Sequence, residues 1–134
     1  MSDFKKLYVW RKAHALALNV HRTAVRIRGS DNSALRNQML RAAMSVPTNI
    51  VEGTGEKTGK EFGRFLSIAM SSASELEYHL ILARDMGVIS VNDFASLSAQ
   101  TIEVRKMLSG LRNRVVASTR ATATSGRRKL ATAI

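Results

Sequence analysis

The chain has 134 residues, with 21 lysines and arginines against 10 acidic residues, a net charge of +11 and no cysteine. That length suits one domain with its own core, and the lack of cysteine excludes disulfides and thiolate metal sites while leaving the redox compartment open. The charge calls for an acidic partner, nucleic acid first and an anionic membrane second.

Met1 to Lys12 are charged early and lack the apolar stretch of a signal peptide. No apolar run approaches the ~18 residues of a membrane span, so a cytoplasmic protein with no membrane partner is expected. One proline and much Ala, Leu, Met, Arg and Lys predict an all-α chain. Helix one is expected from about Lys5 to Arg28, stopping near Gly29. Ser30 to Ser33 form a loop that offers N-cap residues for helix two. Helix two carries Leu35, Met39, Ala42, Val46 and Ile50 at helical spacing and ends near Gly53 or Gly55. Pro47 falls inside it, where a proline removes a hydrogen bond and costs about 3 kcal/mol unless neighbours compensate. Ser45, Thr48 and Asn49 are placed to do so.

Thr58-Gly59-Lys60-Glu61 has the form of a capping box and starts helix three. Its stripe is Phe62, Phe65, Leu66, Ala69, Ala73, Leu76, Leu80 and Ala83, with Gly87 as its stop. Ser90 caps helix four, whose stripe is Phe94, Leu97, Thr101, Val104, Leu108, Leu111 and Val115. Short loops favour antiparallel neighbours, so the expected fold is an up-down-up-down four-helix bundle over residues 1–117. Residues 118–134, rich in Ala, Thr, Ser and Arg, read as a basic C-terminal tail, mobile or a frayed helical extension, that adds Arg127, Arg128 and Lys129.

Helix one says most about partners. Val9, Leu16, Val20, Ala13, Ala24, Ala17, Trp10, Leu7, Val25 and Leu18 spread over about 200° of its circumference at helical spacing. A bundle needs a narrower stripe, and the surplus suggests burial against another subunit. The opposite arc holds Tyr8, Arg11, Lys12, Asn19, Arg22 and Arg26, and between Phe4 and Ser30 there are seven basic residues and no acidic one. A solvated face normally mixes signs. One-signed charge beside a tyrosine suits phosphate contacts with base stacking, so Tyr8, Arg11, Lys12, Arg22 and Arg26 are the candidate nucleic-acid contacts.

Signals for other chemistry are weak. A di-metal bundle site needs Glu-x-x-His pairs, but Tyr78 stands three after Glu75, and neither His14 nor His21 has a glutamate three positions before it. Packed or interfacial histidines are the simpler reading. Glu75 and His79 form an ordinary i,i+4 pair. Gly53-Thr54-Gly55 lacks the Lys-Ser/Thr of a phosphate loop, and no nucleophile elbow occurs. Neither catalysis, metal nor cofactor is expected.

Ser45-Val46-Pro47-Thr48-Asn49-Ile50-Val51-Glu52-Gly53 places polar residues inside helix-forming stretches, as does Ser72-Ala73-Ser74-Glu75-Leu76-Glu77. Such local conflicts mark structural devices or sites. With Leu7, Val9-Trp10, Lys12-Ala13, Leu35, Gln38, Arg41-Ala42, Phe65-Leu66 and Ala69, these strings make the chain resemble the four-helix-bundle family of 23S rRNA intervening-sequence proteins, from about Leu7 to about Leu111. It is also similar, more distantly, to the accessory protein of diversity-generating retroelements. Ser71 departs from the family pattern, as do Glu56-Lys57. The resemblance implies assembly into a homo-oligomeric ring, a pentamer, and one shared role for Ser45, Pro47, Asn49, Glu52, Gly53, Ser72 and Glu75. That role is expected to be structural: a buried or interfacial polar network fixing register between helices two and three or between subunits. The functional expectation is a non-catalytic, basic, oligomeric module that holds RNA or DNA through its phosphates. The alternative is a scaffold whose basic face docks an acidic or polymerase-like protein.

Overall fold

In the computed structural model, residues 3–133 are described, with side chains described for residues 3–118. Four helices account for almost all of it: α1 (Tyr8–Ala24), α2 (Ser33–Thr54), α3 (Gly59–Asp85) and α4 (Val91–Ala133). Single 3-10 turns at Phe4–Lys6 and Ser30–Asn32 precede α1 and α2, and there is no strand among the described residues. Each helix packs against its two neighbours in the order α1, α2, α3, α4 and back to α1. One apolar core runs through all four, including Leu16 and Val20 from α1, Met39, Val46 and Ile50 from α2, Leu66, Leu76 and Leu80 from α3, and Leu97, Val104 and Leu108 from α4.

The boundaries follow from local chemistry. α1 is shorter at both ends than expected. Leu7 is extended, which separates the Phe4–Lys6 turn, capped by Asp3 onto the Lys5 N–H at 3.1 Å, from the helix proper. At the other end the backbone tightens, with Arg26 N–H bonding Thr23 O and Ile27 N–H bonding Ala24 O. This turn carries Ile27 into the core, and the Arg36 guanidinium donates to the carbonyls of Ile27 and Gly29 at 2.8 and 3.1 Å. Half of the predicted capping box forms: Thr58 Oγ1 accepts from the Glu61 N–H, while the Glu61 carboxylate turns to Arg64 at 3.2 Å. Gly87, at φ +73°, closes α3 by donating to Arg84 O while Val88 N–H reaches Ala83 O, a paired pattern that satisfies the last carbonyls. Ser90 Oγ accepts from the Asp93 N–H to start α4.

Pro47 sits inside α2, which nevertheless runs unbroken. Thr48 Oγ1 donates to Met44 O and Asn49 Nδ2 to Ser45 O, both at 2.8 Å, so the turn around the proline gains two side-chain bonds. α4 passes residue 117 without a break and continues to Ala133, so the backbone beyond 117 takes the form of a helical extension. Arg127, Arg128 and Lys129 lie outside the residues whose side chains are described.

Side-chain bonds fix the register between neighbours. Lys12 meets Glu103, Asn19 meets Gln100 and Arg26 meets Asp93, so residue numbers fall along α4 as they rise along α1. Ser45 pairs with Ser72, while Gly53 lies against Phe62 and Phe65, giving the same opposed progression between α2 and α3.

Candidate nucleic-acid interface and polar signature

Two places gather the residues singled out by sequence. The first is the outer face of α1 with its seam against α4. Tyr8 opens α1 with 58% of its surface exposed. The Arg11 guanidinium lies 5.8 Å from its ring centroid and the Lys12 ammonium 5.6 Å, within cation–π range. No acidic residue occupies the first turn of α1.

Further along the face the cations are engaged. Lys12 Nζ stands 3.2 Å from Glu103 Oε1. The hydrogen bond to Glu103 and then its charge, with Tyr8 adding, raise the Lys12 pKa above the ordinary lysine value. Arg26 pairs with Asp93 at 3.0 Å. Arg22 donates to Asn19 Oδ1 at 2.8 Å, and Asn19 in turn donates to Gln100. The one-signed face read from α1 is therefore mixed once α4 is beside it. Of the five candidates, Arg11 and Arg22 have no acidic partner among the described residues. α4 also contributes cations that sequence reasoning missed: exposed Lys106 and Arg114, which flank a groove beside Tyr8.

The second place is the α2–α3 contact. Ser45 Oγ and Ser72 Oγ are 2.7 Å apart, and Asn49 Nδ2 donates to Ser45 Oγ at 3.0 Å as well as to Ser45 O. These three are hydrogen-bonded together across the α2–α3 contact, with Ser72 buried and Ser45 and Asn49 half-buried. Gly53 belongs beside them for a steric reason. A Cβ there would stand 2.8 Å from Phe62 Cδ1 and 3.0 Å from Phe65 Cβ, so the helices approach too closely for any side chain. Glu52 and Glu75 are exposed and make no hydrogen bond or ion pair within the chain among the described residues, so within one chain the network stops short of them. Glu75 instead borders an open polar hollow with Gln38 and Arg41 beside the serine pair. His79, one turn on, is half-buried, and its Nδ1 has no hydrogen-bond partner among the described residues and is not paired to Glu75, while Glu77 meets Arg105 at 3.4 Å.

The surplus apolar arc of α1 is visible as Leu18 and Val25, 43% and 58% exposed, spaced with exposed His14 and His21 along one stripe. Trp10 stacks flat on His14, with centroids 5.0 Å apart, and Phe4 meets the Trp10 ring edge-on. Among the described residues no group of three or more His, Asp and Glu side chains is placed to hold a metal, and no helix is long and apolar enough to cross a membrane.

A family model described as 23S rRNA-intervening sequence protein matches residues 5–110. A crystal structure from Bacteroides thetaiotaomicron, described as a protein of unknown function from the S23 ribosomal protein family, superposes with a TM-score of 0.73 at 24% identity. It covers 78% of this chain and 97% of its own, a likeness of fold. Comparison with curated proteins found no match.

Proposed function

Because the chain belongs to the 23S rRNA-intervening sequence protein family, we propose that it is a non-catalytic, basic module that holds RNA or DNA through phosphate contacts. The observation that carries this reading is Tyr8, more than half exposed at the start of α1 with two cations beside its ring. An exposed aromatic among cations suits stacking on a base while the charges meet the flanking phosphates. The net charge of +11 supplies a sequence-independent attraction, which gives affinity without reading bases.

The same reading takes the four helices as an antiparallel up-down-up-down bundle that assembles into a homo-oligomeric ring of five copies. The opposed numbering across the α1–α4 and α2–α3 contacts supports the first part. The exposed Leu18 and Val25, seven residues apart on one stripe with His14 and His21, support the second, because apolar side chains at this spacing on a helix suit burial against another helix.

Salt dependence tests it. Affinity for generic RNA or DNA, measured by gel shift at two salt concentrations, should fall log-linearly with salt. Reversing Arg11 and Arg22 together (R11E/R22E) should flatten that slope by about 1.4 to 1.8 for two single- or double-strand contacts, with melt and sedimentation unchanged. No binding at low salt would leave the scaffold reading, with this face docking an acidic protein.

A further inference from the structure

Past the Lys12–Glu103 pair, the seam between α1 and α4 opens into a groove of about 330 Å3. Tyr8 forms one wall, and Leu7, Met107 and Leu111 give it an apolar floor. Lys106 and Arg114 line it from α4, both exposed and without an acidic partner among the described residues. Glu103, the acid on this stretch of the seam, is taken by Lys12.

Gly110 lines the same groove in the interior of α4, where glycine costs about 1 kcal/mol relative to alanine. Packing does not account for it as it does for Gly53 or Gly63. At Gly63 a Cβ would lie 2.7 Å from Val116 Cγ2, but at Gly110 the nearest atom is Arg114 Nη1, the far end of a flexible side chain, at 3.4 Å. What a side chain at 110 would obstruct is the groove. Its volume is at the small end of the ~300–1,000 Å3 typical of ligand sites, which suits one flat, compact group and not an extended chain.

We propose that this groove is a nucleotide subsite for single-stranded nucleic acid: one unstacked base lies between Tyr8 and the apolar floor, and its flanking phosphates are held by Lys106 and Arg114. The proposal rests on the nucleic-acid reading above and gives it a location and a strand preference. An apolar-floored slot with an exposed aromatic wall and cations on its rim matches the arrangement of a nucleotide, a π-face between two anions. A duplex keeps its bases stacked and can offer this site only its backbone.

The test uses fluorescence anisotropy of a labelled homopolymeric single strand, and of a duplex, at about 50 and 200 mM salt. K106Q/R114Q should lower single-strand affinity on the order of tenfold and reduce the salt slope by about 1.4, two contacts at about 0.7 each. R28Q/R41Q, which removes the same charge at exposed positions outside the groove, should leave the slope nearly unchanged. Gly110→Leu, which keeps every charge and fills the groove, should weaken single-strand binding on the order of tenfold and leave duplex binding alone. Equal effects of the two charge-removing pairs, or full single-strand binding by Gly110→Leu, would overturn the subsite while leaving general phosphate binding in place. Failure of the unaltered protein to bind either strand at the lower salt would overturn both.

Discussion

Ser45 on α2 and Ser72 on α3 share a 2.7 Å hydroxyl contact, and Asn49 reaches back one turn to hold the Ser45 oxygen in place. The contact joins two helices at a point where Ser72 is buried, so the Ser45 hydroxyl is what Ser72 has in place of water. Removing one leaves the other short of a partner, at a cost of about 1–3 kcal/mol for a buried group, whereas removing both takes away the unmet need as well. S45A and S72A should therefore each lower the midpoint of thermal unfolding, and S45A/S72A should cost less than their sum in a double-mutant cycle. Additive losses would mean that the two hydroxyls do not depend on each other.

Glu75→Ala makes a contrasting prediction. Within one chain Glu75 is exposed and bonds nothing among the described residues, so its loss should change monomer stability within about 0.5 kcal/mol. If it closes a network across subunits, sedimentation should report a change in mass while denaturant unfolding of the dissociated chain is unaltered. A large loss of chain stability would instead place Glu75 in the α2–α3 network after all.

How far the sequence reveals this molecule depends on distance along the chain. The apolar stripes of α2, α3 and α4 are legible because 3.6-residue periodicity is a local property, and nearly all the named positions are buried or pack on the core. Gly87 and Ser90 are legible for the same reason, since a helix stop or cap acts within a few residues. The charge of the α1 face is not legible. Lys12 and Arg26 are neutralised by Glu103 and Asp93, residues 91 and 67 positions away, and only the packing of α4 beside α1 decides which cations remain unpaired. Lys106, Gly110 and Arg114 escape for the same reason, because nothing in α4 alone points to Tyr8. The role of Gly53 is half legible: a glycine near a helix end reads as a stop, but the aromatic pair it accommodates comes from the next helix.

Three of the helical glycines, Gly53, Gly63 and Gly110, should separate by sign when changed to alanine. Alanine gains about 1 kcal/mol of helix propensity at any interior site. At Gly53 and Gly63 the new methyl would meet its neighbours at 2.8 and 2.7 Å, and overpacking of that kind costs about 1–3 kcal/mol. Both variants should melt lower by up to several degrees. Gly110→Ala meets only the tip of Arg114 and should melt at the same temperature or higher. A stabilised Gly53→Ala would mean that α2 and α3 can move apart without loss.

Leu18 and Val25 make a test of assembly that leaves the fold alone. Both are exposed in the single chain, so L18S/V25S should shift chain stability within about 0.5 kcal/mol each. If the stripe is covered by another copy, sedimentation equilibrium should show a homo-oligomer for the unaltered chain and a shift toward monomer for the variant. A monomer in both cases at micromolar concentration would reject assembly through this face.

Freeing the tied cations should strengthen nucleic-acid binding. Glu103 holds Lys12 by a hydrogen bond and by charge, with Tyr8 adding, and so raises the Lys12 pKa. A raised lysine pKa means that the pair's contribution to the folded state is fully present at neutral pH and fades only as pH climbs through that raised value. At neutral pH Lys12 is thus charged but partly neutralised. Glu103→Gln removes the acid and leaves the lysine charged, available to a phosphate beside Tyr8. Asp93→Asn does the same for Arg26. Each substitution should steepen the dependence of log affinity on log salt by up to about 0.7 for a single strand or 0.9 for a duplex, one added phosphate contact apiece. Glu103→Gln frees the cation beside the Tyr8 ring and should have the larger effect on single strands. Unchanged slopes for both would mean that the nucleic acid does not follow the α1–α4 seam, whatever it binds elsewhere on the molecule.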